Sequence, residues 1–243
     1  MKFYIILIIA LFPGTLLINL FSQEFHIVTG TGIGHYNMME LKEFNEEKIE
    51  SLPFETKALE NFPMFWNYNV EALYVSKKYV SIGLQGAYFS TGSRISRVDY
   101  SGEYLFDIKL NAISPALLIG FYIPLSKYRI TINNIFGISY SKIVCKEHLK
   151  TDVESVQNKY VYDATNLYYM PQLNLSRAIY GFRIAFYIGY HFDMKRNKIV
   201  AEDYRVQVQE PALNNNTKLN WNGIQMGISL SYNVLRNKIS QKN

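Results

Sequence analysis

Met64–Ser76, MFWNYNVEALYVS, decides the fold. Trp66, Tyr68, Val70, Ala72 and Tyr74 occupy alternate positions, with Asn67, Asn69 and Glu71 between them. Successive side chains of a strand point to opposite faces, so this run has one aromatic-apolar face and one polar face. The same two-residue period returns down the chain. Val80, Ile82, Leu84 and Tyr88 oppose Ser81, Gly83 and Gln85; Ile130, Ile132, Phe136 and Ile138 oppose Arg129, Thr131 and Asn133. Phe182, Ile184, Phe186, Ile188 and Tyr190 oppose Arg183, Ala185, Gly189 and His191, and Ile224, Met226, Ile228, Leu230 and Tyr232 oppose Gln225, Gly227, Ser229 and Ser231.

Three further strands are less regular. One near Glu24–Asn37 carries Gly30, Gly32 and Gly34, which imply close packing at its inner face. One near Thr165–Ser176 contains Pro171. The strand near Tyr104–Ile123 changes phase: Phe106, Ile108 and Leu110 are even-numbered, whereas Leu117, Ile119, Phe121 and Ile123 are odd, with Ser114-Pro115 at the switch. A β-bulge there would flip the parity within Ser114–Ala116. About eight strands result, with ten possible if Ile199–Gln209 adds a hairpin. Short connections near Lys77-Lys78, Pro124–Lys127 and Arg177–Tyr180 alternate with long ones at Met38–Pro63, Thr91–Glu103, Lys142–Ala164 and Asp193–Lys218.

Composition narrows the setting. Aromatics make up 15% of the chain and charged residues only 19%, against roughly 25% in an ordinary soluble domain. That balance suits a surface meeting lipid. Residues 1–22 have the form of a secretory signal, with Lys2 before an apolar run, Pro13-Gly14 within it, and Ser22 placed for cleavage ahead of Gln23. The expected division is a signal peptide at 1–22, a barrel at 23–235 and a short tail at 236–243. No Lys/Arg block marks a nucleic-acid surface.

The polar faces are rich in Asn, Gln and Ser, and the apolar faces end in aromatics: Trp66, Tyr74, Tyr88, Tyr140, Tyr190, Trp221 and Tyr232. Together with the loop asymmetry, this favours an antiparallel up-and-down β-barrel with its apolar face turned out to lipid, short turns in the periplasm and long loops outside the cell. The last strand, Gln225-Met226-Gly227-Ile228-Ser229-Leu230-Ser231-Tyr232, is similar to the terminal assembly signal of such barrels. With the signal peptide and the eight-strand pattern, the chain resembles the small outer-membrane β-barrel proteins, OmpX-like and PorT-like. The resemblance implies a bacterial outer-membrane location and recognition by the insertion machinery. It also implies a structural, adhesive or complex-accessory role, or rarely lipid modification.

Within the barrel, Glu71, Asp107, Lys109, Arg129 and Arg183 are expected on inner faces as a pairing network that fills the lumen, leaving no wide pore. A narrow channel lined by the same charges is the alternative. His191 with Asp193 forms a candidate acid–base pair or a strand-end histidine, and His26 and His35, nine residues apart on one strand, fall on opposite faces and cannot form a metal site without help from elsewhere. Cys145 reads as a loop thiol. No catalytic, metal or cofactor set stands out, so an enzyme, including a lipid-modifying one, is disfavoured. The first long loop is acidic, and Glu40–Leu52 has helical spacing with Leu41, Phe44 and Leu52 along one side and Pro53 after it. With Glu47, that stripe is a possible partner-binding surface, or else the helix lies on the barrel rim.

Overall fold

The structure is a computed structural model that describes residues 22–76, 79–100, 102–151, 154–196, 199–201 and 217–234. The expected signal segment apart from Ser22, most of Ile199–Gln209 and the tail at 236–243 lie outside the described residues.

Among the described residues the elements are β1 (Ser22–Tyr36), α1 (Met39–Ser51), β2 (Lys57–Asn61), β3 (Phe65–Ser76), β4 (Val80–Asp99), β5 (Gly102–Leu125), β6 (Tyr128–Thr151), β7 (Ser155–Ile179), β8 (Phe182–Arg196), β9 (Val200–Ala201) and β10 (Gly223–Asn233). Each strand pairs antiparallel with its neighbours in the order β1, β3, β4, β5, β6, β7, β8, β10, and β1 meets β10 over His26–Tyr36 to close the ring. The result is an eight-stranded up-and-down barrel. β2 continues the wall above β3, and β9 pairs with β7 at Tyr162 and Asp163.

The ring ends in tight turns on one side. Between β7 and β8, Tyr180 and Gly181 both have positive φ, 45° and 88°, the backbone of a type I′ turn, whose twist matches the flanking strands. The start of β1 and the end of β10 sit at this same end.

Val70, Ile82, Ile132, Ile184 and Ile228 all lie exposed on the outside, as the alternation requires. They belong to an apolar belt that on β5 runs from Ile113 to Ile123. Ten residue steps of about 3.3 Å, tilted by about 40°, give a height of about 25 Å, the height of the apolar band on a membrane barrel. Trp66, Tyr88, Tyr140, Tyr190 and Tyr232 are exposed on this outer surface, but Trp221 is fully buried inside the barrel.

β5 corrects the expected bulge. Leu117, Ile119 and Phe121 do face outward, but parity does not switch at Ser114–Ala116: even-numbered residues point inward from Tyr104 to Gly120. The register with β4 and β6 is unbroken on either side of Pro115. Proline supplies no N–H to the ladder, and the Ser114 hydroxyl donates instead to the carbonyl of Ile138, the residue opposite Pro115, at 3.3 Å. What changes along β5 is polarity. Above the belt, Phe106, Ile108 and Leu110 point into the barrel while Asp107, Lys109 and Asn111 face out. β6 does the same, with Ile143 and Cys145 inward and Lys142 and Lys146 outward. The apparent phase change is therefore the point where the strand leaves an apolar surrounding for water.

The same inversion corrects two connections. Thr91–Glu103 and Lys142–Ala164 are mostly strand, not long loops; they form the tall β4–β5 and β6–β7 hairpins. Cys145 is accordingly a buried strand residue rather than a loop thiol.

Candidate functional site

The upper barrel is filled by an apolar core. Tyr36, Phe62, Phe89, Phe106, Leu110 and Trp221 are fully buried there, with Tyr36 edge-on to Trp221 at a centroid distance of 4.8 Å. Phe62 reaches this core through a left-handed backbone (φ 53°) that breaks the wall between β2 and β3. Its N–H donates to the Gly92 carbonyl at 3.0 Å, which ties the break to β4.

The helix α1 lies at the mouth. Leu41, Phe44, Asn45, Lys48, Ile49 and Leu52 recur at helical spacing, so one side of the helix faces the core. Leu41 is buried, Phe44 packs on Phe106 at 6.0 Å, and Asn45 donates to Ser93 Oγ at 3.0 Å. Lys48 Nζ lies 2.9 Å from Glu147 Oε1, which also accepts from the Tyr104 hydroxyl at 3.0 Å. Burial, then the Glu147 charge, pushes the Tyr104 hydroxyl well above the usual tyrosine range. Burial likewise pushes the Cys145 thiol up to about 12.

This placement is the rim-lying alternative for the helix. Leu41, Phe44 and Leu52 are spent on the barrel's own core, and only Glu47 of that set is exposed to solvent. Exposed apolar groups lie instead at the tip of the β4–β5 hairpin, where Tyr100 is 99% and Val98 71% exposed.

Against the apolar core sits the His191–Asp193 pair. His191 Nε2 is 3.2 Å from Asp193 Oδ1, both side chains are fully buried, and the imidazole stacks on Tyr168 at 4.2 Å. Asp193 Oδ2 accepts from the Trp221 backbone N–H at 2.7 Å and from Asn166 Nδ2 at 3.0 Å. The Trp221 indole N–H donates to Ser141 Oγ at 2.9 Å. The two Trp221 bonds pin the segment leading into β10 to the wall, and the Asn166 bond ties β7 to β8 beside it. Among the described residues the pair serves as a structural anchor, a role that two residues on one strand do not reveal by themselves.

Lower down the interior is polar. Gln85 Nε2 donates to Glu71 Oε1 at 2.9 Å, and the Tyr187 hydroxyl to Asn67 Oδ1 at 3.2 Å. Gly30, Gly32 and Gly34 line the inner face of β1, where a Cβ would strike Asn69, Tyr187 and Tyr36. A cavity of about 70 Å³ remains toward the short-turn end, lined by Glu71, Arg129, Arg183 and His26 among others.

The five expected lumen charges do not form one network. Glu71, Arg129 and Arg183 face in, but Glu71 bonds Gln85, the Arg129 guanidinium lies 4.4 Å from the Tyr122 ring centroid, and Arg183 reaches Ser176 Oγ at 3.4 Å. Asp107 and Lys109 are outside, because β5 keeps one parity; Asp107 is held by Arg94 through two bonds of 2.6 and 2.9 Å. No group of three or more His, Cys, Asp or Glu that could hold a metal ion occurs among the described residues.

Fold and site together define a closed eight-stranded barrel with an apolar outer belt and an apolar plug at its mouth. No protein-family model matches the chain, and no curated protein matches its sequence. Three solved structures show limited similarity to the chain. Neisserial surface protein A is 8% identical with a TM-score of 0.44, covering 87% of this chain and 97% of its own. Ail, the attachment invasion locus protein of Yersinia pestis, solved with the heparin analogue sucrose octasulfate, is 11% identical with a TM-score of 0.39, covering 87% and 99%. The translocator domain of the autotransporter NalP from Neisseria meningitidis is 8% identical with a TM-score of 0.29, covering 86% and 87%.

Proposed function

We propose that this chain is a non-enzymatic bacterial outer-membrane protein, OmpX-like or PorT-like in kind, exported by a cleaved signal peptide. Its role is structural, adhesive or complex-accessory and is exercised on its extracellular face. The outward belt supports the membrane setting: side chains such as Ile113, 64% exposed, would be a costly surface in water over a height of about 25 Å. The observation that carries the functional reading is the plugged mouth. A solute entering from outside would have to displace Phe89, Phe106, Tyr36 and Trp221, and the helix above them. That argues against a channel more strongly than charge pairing would, since an apolar core is dry as well as narrow.

The contact surface then falls to the tall hairpins, above all Val98 and Tyr100. The purified protein in a planar bilayer should show no steady ion conductance. Pull-down from gently solubilised outer membranes should recover a protein partner that the Val98→Ser/Tyr100→Ser variant loses. Large, stable single-channel steps would replace this reading with that of a channel.

A further inference from the structure

The outward face of β4–β7 immediately above the belt is unusually basic. Lys142 follows Tyr140, the exposed top of the belt on β6, by two residues on the same face, a rise of about 6.6 Å along the strand. Lys109, Lys146 and Lys159 are exposed on the same face of β5, β6 and β7. Pairing sets Asn111 opposite Lys142, Lys109 opposite Val144 and Lys146 directly opposite Lys159. Like charges directly opposite on neighbouring strands oppose pairing. The carboxylates on this face are engaged elsewhere: Asp107, opposite Lys146, is clamped by Arg94 Nε and Nη2, and Asp163 lies opposite Lys142. Among the described residues, Arg94 and the four lysines share this outer surface with Asp107, Asp163 and, on β2 opposite Arg94, Glu60.

We propose that Lys109, Lys142, Lys146 and Lys159 bind the phosphorylated headgroup of an anionic lipid in the adjoining leaflet. The reading rests on the lipid-facing belt proposed above. A lipid whose chains lie along Ile113, Tyr140 and Leu167 would bring its headgroup to these ammonium groups, and an anion between Lys146 and Lys159 removes their repulsion. The site offers point charges on flexible stems, which suit a phosphate oxygen from any direction.

The test is native mass spectrometry of the full-length barrel in dodecylphosphocholine micelles, supplied with didecanoyl phosphatidic acid or didecanoyl phosphatidylcholine. Wild type should retain the phosphatidic acid in preference. Lys146→Gln/Lys159→Gln should lose that preference by about thirtyfold, at about fivefold per lysine near a charged surface. Lys127→Gln, in the turn at the opposite end, should keep it. Heat-modified gel mobility checks that each variant is a closed barrel. Equal preference in wild type and the double variant overturns the proposal while leaving the belt untouched. A barrel that stays soluble without detergent and retains neither lipid overturns the belt as well. Displacement of phosphatidic acid by millimolar inorganic phosphate would show a site for free phosphate, and the lipid assignment would fall.

Discussion

Phe106→Ala tests whether the upper barrel is a true core. Phe106 is fully buried on the inner face of β5, packs on Phe44 of α1, and lies 5.5 Å below the Lys48 ammonium. Truncating a buried Phe to Ala costs about 3–5 kcal/mol when the surroundings cannot collapse. Here the inner wall is fixed by strand pairing on both sides, so the loss falls on the docked helix. If opening of α1 bears the whole cost, its open population rises by two to three and a half decades, since each 1.36 kcal/mol is tenfold. Trypsin reads this directly at Lys42 and Lys48, because cleavage follows the open fraction when closing is fast. Gel mobility should show the belt region still folded. Asn111→Ala, on the outer face of the same strand, should leave the rate within about a factor of three. Equal cleavage of wild type and Phe106→Ala, with the barrel intact, would refute the claim that this core holds the helix.

Two other substitutions probe the two environments. Phe186→Arg, at the middle of the β8 belt, should cost about 2–4 kcal/mol of assembly and Phe182→Arg, at its edge, about 0–1, read from folded fractions in a urea titration in lipid vesicles; equal effects would contradict the depth assignment. Cys145, raised from 9.0 to about 12, should react with a thiol reagent at pH 8 about a thousandfold more slowly than the unfolded chain, from its thiolate fraction alone. The shift has a defined sign. The folded state keeps the neutral thiol, so the stability due to its burial is fully present below pH 9 and is lost as pH rises from about 9 to about 12. Trypsin access to α1 that does not rise across that window would count against it.

The belt was legible because lipid imposes one rule on all eight strands: apolar out, period two. Val70, Ile82, Ile132, Ile184 and Ile228 could each be placed from that rule alone. It failed where the strands leave the belt. Phe106, Ile108 and Leu110 obey the opposite rule, that of a water-surrounded barrel, and under a single rule they read as a register slip or as loop. Asp107 and Lys109 were misplaced for the same reason. A parity-preserving swap of polarity, with no extra residue and with Ser114 beside Pro115, was the signal that separates inversion from a bulge. The α1 stripe was visible as an amphipathic helix, but its target was not, because Trp221, Phe62 and Phe89 come from distant segments. Trp221 looked like an interfacial ring for want of any local cue that its neighbours are buried.

The most direct test of the polarity inversion is a single-cysteine scan of β5 from Leu105 to Phe121 in a Cys145→Ala background, with the protein in lipid vesicles. Each thiol is challenged with a lipid-soluble and a water-soluble reagent. Unbroken parity is expected: odd positions 113–121 react with the lipid-soluble reagent, odd positions 105–111 with the water-soluble one, and even positions with neither. A switch of the reactive set from odd to even positions below Ser114 would restore the bulge and contradict the polarity inversion on which the plugged mouth depends.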